Sequence, residues 1–226
     1  MNKYIAFRDN LPTKVFYRLF AIMRIELKAV GKRYNRDWIF KQLDYTFTTG
    51  SYAITGNNGS GKSTLLQTVA GYIAPSKGGV SYHLDEQEVG TEAIFNYLSM
   101  ATPYLDLIEE MTAAELIQFQ ETFKPYKAGI DTATILDTCG LGAAGDKQIR
   151  YFSSGMKQRL KLGLAFYAAT PLLLLDEPCT NLDKAGIAIY QRLIAEQCTD
   201  RLVIVCSNDE QEISFCNDRL SIMDYK

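Results

Sequence analysis

A polar, glycine-rich segment of the sequence has the residue types and spacing that bind phosphate. The segment GNNGSGKST starts at Gly56, between a strand-like pattern and apolar residues at helical spacing. It fits G-x-x-x-x-G-K-[ST], in which inward-turned backbone N–H groups and a helix N-terminus surround phosphate oxygens. Lys62 would reach the β- and γ-phosphates, and Ser63 would ligate Mg²⁺. The residues predicted to hold a nucleoside triphosphate are Gly56, Asn57, Asn58, Gly59, Ser60, Gly61, Lys62, Ser63 and Thr64.

Two carboxylates follow a continuous apolar run. The run LLLL at residues 172–175 is typical of a strand buried on both faces, and Asp176 and Glu177 come directly after it. Ligands of open α/β sheets bind at the carboxyl ends of the strands. Asp176 would therefore hold the Mg²⁺ shell, and Glu177 would accept a proton from an attacking water or orient it. The alternative is a solvated loop after a core strand.

The third motif is a serine-rich helix start within YFSSGMKQR, residues 151–159. Taken alone, it is a helix N-cap. Its hydroxyls and free N–H groups also suit an anion, because the N-terminal end of a helix carries partial positive charge.

In this order the three motifs resemble those of the ATP-binding subunit of ABC transporters, over about residues 24–226. FSSGM stands where the family typically has LSGGQ, so Ser153 and Gly155 match while Ser154 replaces a glycine. The segment TNLD, ending at Asp183, resembles the family's loop at the dimer interface. Tyr34 stands where the family stacks an aromatic ring on adenine; a core position in a strand is the alternative.

The resemblance implies a head-to-tail homodimer in which Mg-ATP lies between two subunits. The phosphate loop of one subunit would face the signature residues Ser153, Ser154 and Gly155 of the other. Hydrolysis would drive a separate integral membrane subunit, which places the chain in the cytoplasm at the inner face of the membrane. The alternatives are a soluble ABC-type ATPase in assembly or regulation and an unrelated P-loop kinase or GTPase, although the sequence has no NKxD segment.

Two residues typical of the family are missing. Asn208 stands where a histidine is usual, and the glutamine expected near residues 100–101 is absent. Asn208 could hydrogen-bond a γ-phosphate through its amide but cannot carry a proton. The predicted catalytic residues are Glu177, Lys62 and Asn208, and we expect slow hydrolysis.

Composition limits the other possible functions. The chain has 226 residues and a net charge of −2, which argues against nucleic-acid binding through general positive charge. Five cysteines without CxxC spacing and a single histidine, His83, indicate reduced thiols rather than a zinc site. No apolar run approaches the ~20 residues of a membrane helix, so we expect no membrane span.

The predicted fold class is α/β, with period-two strands in residues 24–55 and later strands alternating with helices. Residues 99–150 show helical patterns without a strand, including a capping box at Thr112 and Glu115, and residues 99–155 are interpreted as an inserted helical subdomain. The resemblance implies a P-loop, RecA-like core with a mostly parallel sheet and an N-terminal antiparallel part. Residues 23–226 form one domain, preceded by residues 1–22 as a leader or tail; an amphipathic segment that touches a membrane or partner is the alternative.

Overall fold

Two β-sheets organise residues 22–226, the part of the chain that the computed structural model describes; the leader predicted at 1–22 lies outside it except for Ile22. The strands are β1 (Met23–Tyr34), β2 (Asp37–Phe47), β3 (Gly50–Thr55), β4 (Lys77–Leu84), β5 (Gln87–Val89), β6 (Leu98–Ala101), β7 (Leu172–Asp176), β8 (Leu202–Cys206) and β9 (Asp218–Ser221). The antiparallel sheet has the order β2-β1-β4-β5, and the parallel sheet has the order β6-β7-β8-β3-β9. This confirms the predicted α/β class with an N-terminal antiparallel part.

The helices follow the predicted alternation with strands. They are α1 (Lys62–Val69), α2 (Ala113–Glu121), α3 (Thr132–Thr138), α4 (Ser154–Tyr167), α5 (Lys184–Gln197) and α6 (Glu210–Ile213). Between Ile22 and Lys226, none of the helices combines the length and apolar character needed to cross a bilayer.

The parallel sheet separates two hydrophobic cores. Leu172 and Leu174 face a core shared with α1 and the antiparallel sheet. Leu173 and Leu175 face the opposite core, which they share with the helices α2 to α5. Side chains alternate across a strand, so a strand buried on both faces must be apolar at every position. The LLLL run meets this requirement.

The prediction that residues 99–150 contain no strand was wrong at its start. Residues Leu98–Ala101 form β6, which pairs in parallel with β7 from Leu98↔Leu172 to Ala101↔Leu175. Four residues are too few to show a period-two pattern, and the partner strand lies more than 70 positions later. The α-helical part of this region begins at Ala113.

The strand register brings three loops together. Cys206 in β8 lies between Ile54 of β3 and Asp176 of β7. The chain leaves all three strands in the same direction, because they are parallel. The glycine-rich loop, the carboxylate pair and the segment that contains Asn208 therefore meet at one edge of the sheet.

The first helix after β6 begins with a reciprocal cap that can be tested. The Thr112 hydroxyl accepts a hydrogen bond from the Glu115 N–H at 3.2 Å, and the Glu115 carboxylate accepts one from the Thr112 N–H at 2.8 Å. We expect Thr112→Ala to lower the free energy of unfolding by about 1 kcal/mol in urea denaturation, because an N-cap hydroxyl is lost. Thr112→Ser keeps the hydroxyl and should retain most of the stability; an equal loss in both variants would contradict the cap.

Candidate functional site

The phosphate loop of residues 56–61 joins β3 to α1, and it needs glycine at both ends. Gly56 has φ +145°, and a Cβ there would lie 2.6 Å from Ile222 Cγ2. Gly61, the N-cap of α1, has φ +100°, and a Cβ would lie 2.3 Å from Ile39 Cγ2. Both positions combine a left-handed backbone with close neighbours, so only glycine fits. Sterics alone thus account for glycine at both ends of the loop.

Lys62 lies at the start of α1 and is almost fully buried, with 5% of its surface exposed. Its ammonium donates to the Gly56 carbonyl at 2.7 Å and to the Asn57 carbonyl at 3.4 Å. A buried charge requires such partners. The ammonium is therefore held against the loop, where it can exchange carbonyl contacts for phosphate oxygens.

The remaining residues of the phosphate loop differ in solvent exposure. Asn57, Asn58 and Gly59 are exposed, whereas Ser63 and Thr64 in the first turn of α1 are partly buried. Ser60 is buried, and its carbonyl accepts from the Lys226 ammonium at 2.5 Å. The outer part of the loop is open to a ligand while its base is held by the fold.

Asp176 ends β7 and is only 3% exposed. Its Oδ1 is buried and has no hydrogen-bond partner within residues 22–226. Burial raises the pKa of this carboxyl, and interaction with the Ser63 hydroxyl opposes the shift. An unpartnered buried carboxylate oxygen costs free energy. Asp176 Oδ1 is therefore a buried acceptor near Ser63 that receives no hydrogen bond from the described residues.

Glu177 turns outward immediately after the strand. Its φ is +44°, a left-handed conformation that is uncommon for a residue other than glycine, and its side chain is exposed. Its N–H donates to the Cys206 carbonyl at 2.9 Å, which fixes the turn to β8. The buried Asp176 and the exposed Glu177 thus occupy different environments, as their two predicted roles require.

Asn208 contacts the first residue of the phosphate loop. Its Oδ1 accepts from the Gly56 N–H at 3.0 Å, and its Nδ2 donates to the Gly56 carbonyl at 2.7 Å. The role inferred from the sequence, a hydrogen bond from this amide to a γ-phosphate, stays a prediction. The structure adds a contact with Gly56 that could not be expected from the sequence, since the two residues are 152 positions apart.

Ser153 caps α4, and its hydroxyl accepts from the Met156 N–H at 3.2 Å. Ser153 and Ser154 are exposed, so this helix start is open to solvent in a single chain. A Cβ on Gly155 would lie 2.9 Å from the Asn181 carbonyl, which places the first turn of α4 against the loop that ends at Asp183. Asp183 itself caps α5 by accepting from the Gly186 N–H at 2.8 Å.

Tyr34 ends β1 and is 48% exposed. The ammonium of Lys32 lies 5.2 Å from the centroid of its ring. The alternative interpretation of Tyr34 as a core aromatic was wrong, because β1 extends past the core and its last residues are exposed. The interpretation as an adenine platform stays a prediction, and the exposed ring face is compatible with it.

Two buried polar side chains that were not predicted from the sequence hold the loop after Glu177. Gln158 of α4 donates through Nε2 to the Pro178 carbonyl at 2.8 Å. Glu212 of α6 accepts from the Cys179 N–H at 2.6 Å. Gln158 and Glu212 are 6% and 3% exposed. No sequence signal marks either residue, because Gln158 lies between Lys157 and Arg159 and Glu212 lies in the short polar helix EQEI.

The family glutamine was expected near residues 100–101, which lie at the end of β6, and hydroxyl groups follow directly after this strand. Thr102 is fully buried and its Oγ1 has no partner in the described chain. Burial raises the pKa of Tyr104 to about 12, and the Asp176 charge acts in the same direction. The carbonyl of Thr102 accepts from the Lys161 ammonium of α4 at 3.3 Å. This segment therefore connects the carboxylate site to the helix that begins at Ser153.

Comparison with known proteins gives the family. The family model described as "ABC transporter" matches residues 40–180, more than half of the chain. An uncharacterised ABC transporter ATP-binding protein of Bacillus subtilis, YybJ, is 26% identical over 88% of this chain and 92% of its own length. A cytochrome c biogenesis ATP-binding export protein, CcmA of Brucella abortus, is 30% identical over 82% of this chain and 85% of its own length.

Solved structures share the fold. An ATP-binding subunit of an ABC transporter is 22% identical, with a TM-score of 0.73 and coverage of 87% of this chain and 85% of that one. A dimeric ATP-binding cassette bound to ADP and phosphate is also 22% identical, with a TM-score of 0.71 and coverage of 87% and 93%. The match to the family model and the 30% identity to CcmA show that the chain belongs to the ABC transporter family, as an ATP-binding domain of that family.

Proposed function

We propose that this chain is the ATP-hydrolysing motor subunit of an ABC transporter, which dimerises head-to-tail on Mg-ATP and drives a separate membrane-spanning subunit. The observation that carries the proposal is that one positive and one negative side chain are both buried at the same sheet edge. The buried ammonium of Lys62 lies inside the glycine loop, and the buried carboxylate of Asp176 ends a neighbouring strand. A triphosphate and a divalent cation would satisfy both.

The residues present fit Mg²⁺, which takes one or two protein ligands beside phosphate oxygens. The unpartnered Oδ1 of Asp176 and the Ser63 hydroxyl are hard oxygen ligands that interact across the site. Bound Mg²⁺ would supply positive charge against the phosphates. Lys62 would neutralise the β- and γ-phosphates, and the exposed carboxylate of Glu177 would take a proton from the attacking water.

The dimer proposal is supported by the open start of α4. Ser153 and Ser154 are exposed, and α4 is a 14-residue helix whose N-terminal end favours an anion. In a head-to-tail pair these groups and Gly155 would approach the γ-phosphate held by the other subunit. Asp183 would lie at the interface, since its loop packs on the same turn of α4.

A membrane-spanning partner is supported by an apolar groove between α2 and the parallel sheet. The groove has a volume of about 610 Å³, and the aromatic side chains that line it include Tyr72, Phe95 and Phe123, which are 79%, 60% and 68% exposed. Exposed apolar surface of this kind marks a contact with another protein. With such a partner, the chain would work at the cytoplasmic face of the membrane.

We propose slow turnover. The family's usual histidine is replaced by Asn208, which cannot carry a proton, and the glutamine usual near residues 100–101 is absent. Glu177 is retained, so hydrolysis is expected to persist.

Asp176→Asn tests the carboxylate. Without nucleotide, the variant should melt about 2–4 °C higher at pH 7.5, because a buried carboxylate with one unpartnered oxygen, a penalty of about 1 kcal/mol, is removed. The pKa of Asp176 is raised in the folded state, so its ionisation opposes folding above that pKa. The gain in melting temperature should therefore vanish below pH 3.8, the ordinary pKa of an aspartate, because the carboxyl is then protonated in both the folded and the unfolded state.

The same variant should lose the Mg²⁺-dependent part of ATP binding in calorimetry. Asp224→Asn, at an exposed position, is the control and should change neither property. Unchanged Mg²⁺ dependence in Asp176→Asn would remove Asp176 from the metal site.

Glu177→Gln tests the dimer. The variant should bind Mg-ATP without completing hydrolysis, so that gel filtration shows a doubling of the mass of 25.4 kDa. The exposed Glu121→Gln serves as the control and should behave as the unmodified chain. A persistent monomer at saturating Mg-ATP would count against the head-to-tail arrangement.

Phe123→Glu tests the membrane partner. A pull-down from membranes with the unmodified chain should recover an integral membrane protein, and the charge placed in the groove should abolish recovery. The exposed Phe119 shares the groove, and a conservative Phe119→Leu should retain binding. If the unmodified chain recovers no membrane protein, a role in assembly or regulation without transport is favoured instead.

A further inference from the structure

Asn208 extends the pairing of two strands beyond the point where their backbones separate. The parallel ladder between β3 and β8 ends at Ile54↔Cys206, and the Ser207 N–H makes one more contact, with the Ile54 carbonyl at 3.2 Å. The Asn208 side chain then replaces the backbone and bonds both the N–H and the carbonyl of Gly56. The start of the phosphate loop is thereby joined to the sheet.

This double contact requires a side-chain amide. An amide presents an acceptor and a donor side by side, which matches the N–H and C=O of a single residue. A carboxylate has no donor for the Gly56 carbonyl. The donor and acceptor nitrogens of a neutral imidazole point in diverging directions, so the histidine usual in the family could make only one of the two bonds.

The Gly56 carbonyl also accepts from Lys62. The distances from this oxygen to Asn208 Nδ2 and to Lys62 Nζ are both 2.7 Å. A continuous chain of hydrogen bonds therefore runs from Asn208 through Gly56 to the ammonium predicted to contact the phosphates. A change in the orientation of the Gly56 peptide would move the acceptor that locates this ammonium.

We propose that Asn208 is a positioning residue, which fixes the Gly56 peptide and through it Lys62. It therefore supports the binding of a nucleotide equally whether or not the nucleotide has a γ-phosphate. This inference rests on the proposed nucleotide site. It differs from the role assigned from the sequence, in which Asn208 contacts the γ-phosphate directly. The two roles predict different nucleotide selectivity.

Asn208→Ala separates the two roles in calorimetric titrations with Mg-ADP and with a non-hydrolysable Mg-ATP analogue. A loop anchor serves both ligands, so both affinities should fall by roughly tenfold, equivalent to about 1.4 kcal/mol, with their ratio unchanged. Asn208→Asp should weaken both ligands further, because a carboxylate would oppose the Gly56 carbonyl and the phosphates. Asn208→His should also weaken both, since one of the two bonds is lost.

The control is Gln211→Ala, which removes an exposed amide from the same segment and should leave both affinities unchanged. Asn208 is exposed, so the melting temperature without nucleotide should stay within about 2 °C in every variant. Loss of affinity for the ATP analogue alone, or no loss for either ligand, would overturn the inference. If the unmodified chain bound neither nucleotide, the proposed function itself would fail.

Discussion

The parallel pairing of β3, β8 and β7 is the constraint on which the site depends. None of the site residues is close to the others in sequence except within its own motif, and each loop alone could adopt many conformations. The ladder removes this freedom, because Cys206 fixes Ile54 on one side and Asp176 on the other. Apolar side chains on both faces of the sheet stabilise this register. The hydrophobic cores are thus the reason that a lysine, a carboxylate and an amide meet.

The sequence predicted those parts of the molecule that depend on local patterns. Fewer than ten consecutive residues define each of three features: the phosphate loop, the apolar strand before Asp176 and the capping box at Thr112. The structure has the corresponding loop, strand and cap. β6 could not be predicted, because its four residues are a strand only through pairing with β7. The same holds for the bond between Asn208 and Gly56, since nothing in either segment identifies the other.

The two buried charged side chains of the candidate site, Lys62 and Asp176, differ in whether the fold supplies all of their hydrogen-bond partners. Lys62 has carbonyl partners within its own loop, so the chain folds without a ligand at modest cost. Asp176 Oδ1 lacks any partner in the described residues, so the fold bears a penalty that a bound cation would relieve. At Asp176, the feature that would favour cation binding therefore lowers the stability of the ligand-free fold. At Lys62, the ligand-free fold is stable and the ammonium can still contact a phosphate.

Helix α4 would contact both ATP sites of the proposed dimer, one through its first turn and the other through Gln158. The first turn of this helix would touch the triphosphate held by the neighbouring subunit, while Gln158, one turn later, holds the Pro178 carbonyl beside Glu177 of its own subunit. A shift of α4 on occupation of the neighbour's site would be transmitted along the helix to Glu177 of the same subunit, the carboxylate proposed to act in hydrolysis. The two ATP sites would then act as a coupled pair, and saturation curves for hydrolysis would be sigmoidal rather than hyperbolic.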